Sequence, residues 1–263
     1  AERTTPRKRR GRLPPVGLDA PLRTAIEAPA KDHLSTSSRG SAHLSLGALA
    51  ALVGAPACDR DPWLARSVNR DAVLLLDRLR TPRQLVVYPT TNSGYGTKSG
   101  DKFCTEDTPL EPISLYGRTK VEAEQALLAR PNVVSLRLAT VFGTSPRMRL
   151  DLLVNPFVWA AINDGYLVIF EKDFKRNYVH IRDVADCFLF AIAHAQEMTG
   201  RAYNVGLDAA NLSKEELALR IQQHVPKFCV QFSEVGSDPD KRNYVVSNKR
   251  LREFSRSFRI SSI

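Results

Sequence analysis

Paired metal ligands are missing from this sequence. Its four cysteines, Cys58, Cys104, Cys187 and Cys229, never come within four residues of one another, so neither zinc-knuckle nor thioredoxin-like spacing is present. Scattered single thiols fit a reducing, cytoplasmic compartment. The five histidines form no HxxxH or HExxH pair, and a metal site is unsupported. Long apolar runs are missing too. The longest, Leu46 to Cys58, is too short and too rich in alanine and glycine to span a bilayer. No apolar core follows the basic start, because Gly11–Pro15 is not one, and this argues against a signal peptide.

What is present is an ordinary globular composition. The 263 residues are 43% hydrophobic and 25% charged, enough to bury a full core without disulfides or metals. The net charge of +10 invites a nucleic-acid reading, but its distribution argues otherwise. Residues 1–40 carry +5 and residues 241–263 carry +6, which leaves the 200 residues between them at −1. An electrostatic nucleic-acid binder carries its charge on a folded face. The expected partner is therefore a small molecule, with no nucleic acid and no membrane. Binding of anionic surfaces through the basic ends ranks below an enzyme, and below a remnant that has lost activity.

The chain changes texture along its length. Residues 1–40 interleave arginines with prolines and show no sustained period, which predicts a basic, irregular arm. Leu46–Val53 reads as a buried strand, and Pro62–Arg80 has helical apolar spacing. Gln84–Tyr88 is a short buried strand, Leu115–Ala129 a helix and Val133–Leu138 another strand; helical patterns recur at 151–164 and 183–196. Strands alternating with helices predict an α/β fold with a parallel sheet covered on both faces. Such sheets bind ligands beyond the carboxyl ends of their strands, so the loops after Tyr88 and Leu138 are where chemistry is expected.

One of those loops leads to Tyr116-Gly117-Arg118-Thr119-Lys120. Tyr116 and Lys120 share a helix face at i and i+4. A neighbouring ammonium favours the phenolate, so Lys120 is expected to lower the Tyr116 pKa and make it a usable acid/base. Thr91 stands 25 residues upstream, in Thr90-Thr91-Asn92-Ser93-Gly94-Tyr95-Gly96. Arg137-Leu138-Ala139-Thr140-Val141-Phe142-Gly143 ends the next strand.

In this order and spacing the motifs resemble the extended short-chain dehydrogenase/reductase family, specifically its NAD-dependent nucleotide-sugar epimerases and dehydratases. The resemblance covers about residues 46–250. Ala50-Ala51-Leu52-Val53-Gly54-Ala55-Pro56 and Ser145–Asp151 narrow it to a subgroup with UDP-glucose 4-epimerase-like and GDP-manno-heptose 4-dehydrogenase-like members. It implies a Rossmann-type doubly wound sheet, NAD as cofactor, a nucleotide-diphosphate sugar as substrate, and a homodimer built on the helices at 62–80 and 115–129. It implies Tyr116 as catalytic acid/base, Lys120 on the nicotinamide ribose and Thr91 on the reacting sugar hydroxyl. Ala50, Ala51, Asn69 and Thr140 fall at cofactor-binding positions. Asn92, Asn155, Arg176 and Arg242 fall at substrate-binding positions, the arginines on the diphosphate, where guanidinium forks suit the task.

The resemblance implies hydride transfer at sugar C4, with either a 4-epimer or a keto sugar as product. A dehydratase is disfavoured, because Asn92-Ser93 follows Thr91 where those enzymes place two carboxylates. The family also opens on a strand and a GxxGxxG turn. Here Gly11 and Gly17 have the outer spacing but Pro14 stands between them. The expectation is an incomplete Rossmann-type domain over 41–145 and 178–206, preceded by a non-homologous arm over 1–40. A small substrate-binding part would comprise 146–177 and 207–263. NAD affinity is then expected to be weak.

Overall fold

A computed structural model describes residues 45–47, 51–98, 103–146, 149–238 and 240–254. The arm 1–40 and Ala50 lie outside the described residues.

The described part opens with strand β1 (Ser45–Gly47). Helices α1 (Ala55–Arg60), α2 (Pro62–Arg66) and α3 (Ala72–Leu79) follow, with a π-helical stretch, Ser67–Asp71, between the last two. Strand β2 (Leu85–Thr91) runs into a single 3-10 turn, Asn92–Tyr95. Next come β3 (Phe103–Cys104), α4 (Leu115–Leu128), β4 (Val133–Leu138), β5 (Thr140–Phe142) and α5 (Val154–Asn163). They lead to β6 (Tyr166–Phe170), β7 (Lys175–His180), α6 (Ile181–Ala193), α7 (Ala195–Met198) and β8 (Arg201–Val205). The last are β9 (Asn211–Ser213), α8 (Lys214–His224), β10 (Cys229–Ser233), β11 (Val245–Val246) and α9 (Lys249–Phe254).

Four strands form one parallel sheet in the order β1-β2-β4-β8. Alternation along each strand divides its side chains between two faces. Leu85, Val87, Val134, Leu136 and Val205 pack against Val184, Cys187 and Ala191 of α6 and against Leu251 of α9. Val86, Tyr88 and Val133 pack against Ala123 and Leu127 of α4 and Val73 of α3. Each fully buried aliphatic side chain is worth about 1.5–3 kcal/mol of transfer free energy, so these two layers fix α4 and α6 on opposite faces. A second core joins Phe157 and Ala161 of α5, Ile169 of β6, Tyr178 of β7 and Leu217 and Ile221 of α8. Around it lie the β5-β7-β9 sheet and the β6-β10 pair. The α/β architecture is thus the one expected, with helices on both faces of a parallel sheet.

Two local expectations are corrected. The strand expected over 46–53 begins in β1, but residues 51–53 are not strand. Beyond it Leu52 finds its partner in a side chain: it donates its N–H to Asn69 Oδ1 at 2.7 Å and accepts from Asn69 Nδ2 at 2.9 Å. The single helix expected over 62–80 is interrupted by the π-helical stretch, which carries that fully buried Asn69. Leu251 and Phe254 of α9 pack with the first core.

Candidate active site

The site gathers at the carboxyl end of β2. Thr91 Oγ1 accepts the Ser93 N–H at 3.1 Å and starts the 3-10 turn, which leaves the Thr91 hydroxyl hydrogen available to a ligand. Helix α4 begins directly beside that turn. Ser114 caps it, accepting the Gly117 N–H on its hydroxyl at 3.1 Å. Two glycines make the approach possible. A Cβ on Gly117 would stand 2.9 Å from the Pro112 side chain and 3.4 Å from the Ser93 carbonyl; one on Gly94 would meet Val121 at 3.0 Å. Larger residues at either position would push the start of α4, and Tyr116 with it, away from Thr91.

Tyr116 is partly buried and Lys120 almost wholly so. Neither side chain makes a hydrogen bond among the described residues. The Lys120 ammonium lies 4.0 Å from the centre of the Tyr88 ring. The expected lowering of Tyr116 by Lys120 is not what the structure shows. Burial pushes the Tyr116 hydroxyl up to about 12, Cys58 adds to the rise, and Arg242 and Arg149 oppose it. Burial likewise pushes Lys120 down to about 7, against the pull of Glu124. The cations that act on the phenol therefore come from segments far away in sequence.

Arg176 and Arg242, 66 residues apart, converge on Asp240. Arg242 gives Nε and Nη2 to the two carboxylate oxygens at 2.7 and 2.6 Å. Arg176 Nη2 lies 2.9 Å from Asp240 Oδ1. Burial would raise the Asp240 carboxyl, but Arg242 and then Arg176 hold it well below the usual carboxylate range. Arg242 Nη1 also donates to Ser93 Oγ, which ties the guanidinium to the turn behind Thr91. The arrangement is a pair of guanidiniums facing one anion, with a net positive charge beside Tyr116.

The remaining expected residues divide. Asn92 is buried beside Thr91, and both atoms of its amide lack partners among the described residues. Asn155 is spent on the main chain: its Nδ2 donates to the Arg149 carbonyl at 2.9 Å and its Oδ1 accepts the Gly143 N–H at 3.5 Å. Asn69 is committed to Leu52, as above, and thereby shapes the segment that includes the half-buried Ala51. Thr140 is half-buried in β5, opposite Tyr178. Sequence reasoning missed Arg149, Asp240 and Ser93. The Arg149-Asp151 and Asp240-Arg242 pairs, two residues apart, were the available signals. His180 caps α6 by accepting the Arg182 N–H at 3.3 Å.

A phenol and an ammonium one helical turn apart on α4, neither hydrogen-bonded among the described residues, form a donor set that fits a ribose and a reacting hydroxyl. No helix among the described residues is long and apolar enough to cross a membrane.

Residues 48–206 match the model of the NAD dependent epimerase/dehydratase family. The chain is 26% identical over 204 residues to UDP-arabinose 4-epimerase 1 of Arabidopsis thaliana, covering 64% of this chain and 48% of that protein. It is 30% identical over 151 residues to an uncharacterized UDP-glucose epimerase of Bacillus subtilis, covering 55% and 46%. The chain thus spans about half the length of the curated relatives it matches. Among solved structures, MoeE5 in complex with UDP-glucose and NAD superposes with a TM-score of 0.70 at 22% identity, over 83% of this chain and 74% of that one. Thermus thermophilus UDP-glucose 4-epimerase, in complex with NAD, does so with 0.69 at 21% identity, over 84% and 74%. At those identities the likeness speaks for the fold, which is of Rossmann type.

Proposed function

The chain belongs to the NAD-dependent epimerase/dehydratase family, and from that premise we propose that it acts on a nucleotide-diphosphate sugar at C4, as a 4-epimerase. One observation carries the reading. Tyr116 and Lys120 stand unpaired on one buried helix face beside Thr91, with two guanidiniums converging next to them. The names of the relatives, 4-epimerases of UDP-sugars, support the same reading.

Each residue then has a task. Arg176 and Arg242 bind the diphosphate, since paired guanidiniums match its charge and geometry. Asn92 offers its unspent amide to the sugar. Thr91 orients the C4 hydroxyl by donating to its oxygen, and Tyr116 takes the hydroxyl proton and later returns it. Lys120 holds the nicotinamide ribose. The bound nicotinamide supplies the hydride acceptor and, when oxidised, a positive charge. A phenol at about 12 holds its proton in the free protein at neutral pH, so Tyr116 has to release that proton to solvent and become a phenolate before it can accept one from the sugar. Arg149 and Arg242 already pull it down, and any further cation in the site strengthens that pull. No carboxylate follows Thr91, so loss of water is not favoured.

The domain reading is kept as part of the proposal. The four-stranded sheet serves the cofactor, and the second core around α5 and α8 serves the sugar. Incubating the protein with NAD and candidate UDP-, GDP- and dTDP-sugars, with products read by NMR, tests the reading. A C4-epimerised sugar is expected. Products altered only at another carbon would overturn it.

A further inference from the structure

The face of α4 that meets the sheet carries more polar chemistry than Tyr116 and Lys120. The β2-β4 register sets Tyr88 opposite Ser135 and Thr90 opposite Arg137. These side chains share one face of the sheet, the face covered by α4. Arg137, a buried guanidinium, gives both Nε and Nη2 to a single oxygen of Glu124, Oε1, at 2.9 and 2.6 Å. Its Nη1 goes elsewhere, to the Tyr95 hydroxyl at 3.1 Å and the Glu106 carbonyl at 2.9 Å. The other Glu124 oxygen, Oε2, is buried without a hydrogen-bond partner among the described residues.

A carboxylate that served only as the counter-ion of Arg137 would engage the fork with both oxygens, the stronger arrangement. Here one oxygen is held and the other is left over, on the residue one helical turn after Lys120. Lys120 is 3% exposed and has the Tyr88 ring for company but no acceptor. A buried ammonium needs an anion in range or it loses its proton. The nearby titratable groups on packed elements are otherwise engaged. Asp77 is paired with Arg80 and Arg130, Glu122 is paired with Arg70, and Tyr88 meets the ammonium with its ring face. Arg137 carries the same sign as Lys120. Glu124 is the anion that acts on Lys120, against the effect of burial.

We propose that Glu124 is the positioning residue for Lys120: fixed by Arg137 through one oxygen, it presents the other as the counter-charge that keeps Lys120 an ammonium. The Arg137-Glu124 pair is then a support for the site as well as a structural cross-link. Its functional meaning rests on the reading of Tyr116 and Lys120 given above.

The test is an NMR titration of lysine side chains in the 263-residue protein, with Lys120 assigned by the resonance lost in Lys120→Arg. In Glu124→Gln the Lys120 midpoint is expected to fall by about one pH unit, a tenfold loss of proton affinity. Glu124→Asp, which keeps the charge, should stay nearer to wild type. Glu124→Gln leaves a buried guanidinium without its counter-ion, so the double variant Glu124→Gln/Arg137→Met, which removes the pair together, repeats the measurement. There too the midpoint should fall, by less, because a repelling cation has gone as well. An unchanged or raised midpoint in either folded variant overturns the proposal. The titration needs neither NAD nor a sugar. A shifted midpoint in a protein with no C4 chemistry would therefore sink the functional reading and leave the Glu124 proposal standing.

Discussion

Burial acts in opposite directions on the two residues at the centre of the site. It raises Tyr116 to about 12 and lowers Lys120 to about 7, so in the free protein the phenol is neutral and the ammonium titrates near neutrality. Tyr116→Phe should keep the fold and cut kcat by about 10²–10⁴, the usual contribution of a general acid/base, as steady-state kinetics on the turned-over sugar would show. Lys120 makes a separate prediction about stability. Its folded pKa is depressed from the ordinary 10.5, so between the two values the unfolded chain binds a proton that the folded chain does not. Stability from this group therefore rises with pH from about 7 to about 10. Lys120→Met should remove that rise, and urea melts across the window would check it. The Tyr116-Lys120 spacing was legible in the sequence because both lie on one helix turn. The charges that act on Tyr116 were not, since Arg149 and Arg242 reach it through the fold.

At the scale of elements, the segment after β1 is ordered by one side chain. Both Leu52 backbone groups pair with the fully buried amide of Asn69, and the carbonyl also accepts from the Cys58 thiol at 3.2 Å. Asn69→Ala should destabilise the protein by about 2 kcal/mol, because it orphans the buried Leu52 N–H and leaves the Leu52 carbonyl only the weaker Cys58 thiol at 3.2 Å. Amide exchange at Leu52 should accelerate more than at β2 or β4. Periodicity revealed β2, α4 and β4 well, since each is a continuous run with clear apolar alternation or helical spacing. It overextended β1 and missed the π-helical break in 62–80. A buried polar side chain that replaces a strand partner leaves no trace in hydrophobic spacing.

For the whole molecule, the uneven charge along the chain separates a near-neutral body from basic ends. The body carries an exposed apolar strip on α2 and α3, with Trp63 at 76% and Leu79 at 77% exposure. The outward face of α4 is instead polar, with Arg118, Glu122 and Gln125. The expected dimer face is thus apolar on one of its two helices and not on the other. We expect self-association centred on the α2-α3 strip. Trp63→Ser/Leu79→Ser should shift the mass in light scattering towards the monomer, and an unchanged mass would remove that surface from consideration.

The central claim is that Tyr116 moves a proton while hydrogen leaves sugar C4. The direct measurement follows a nucleotide sugar deuterated at C4 through incubation with NAD, in the wild-type protein and in Tyr116→Phe. The account predicts a C4-inverted product with a primary isotope effect on its formation in the wild type, and almost no product in the variant. Equal turnover by Tyr116→Phe, or product formed with the C4–deuterium bond never broken, would contradict it.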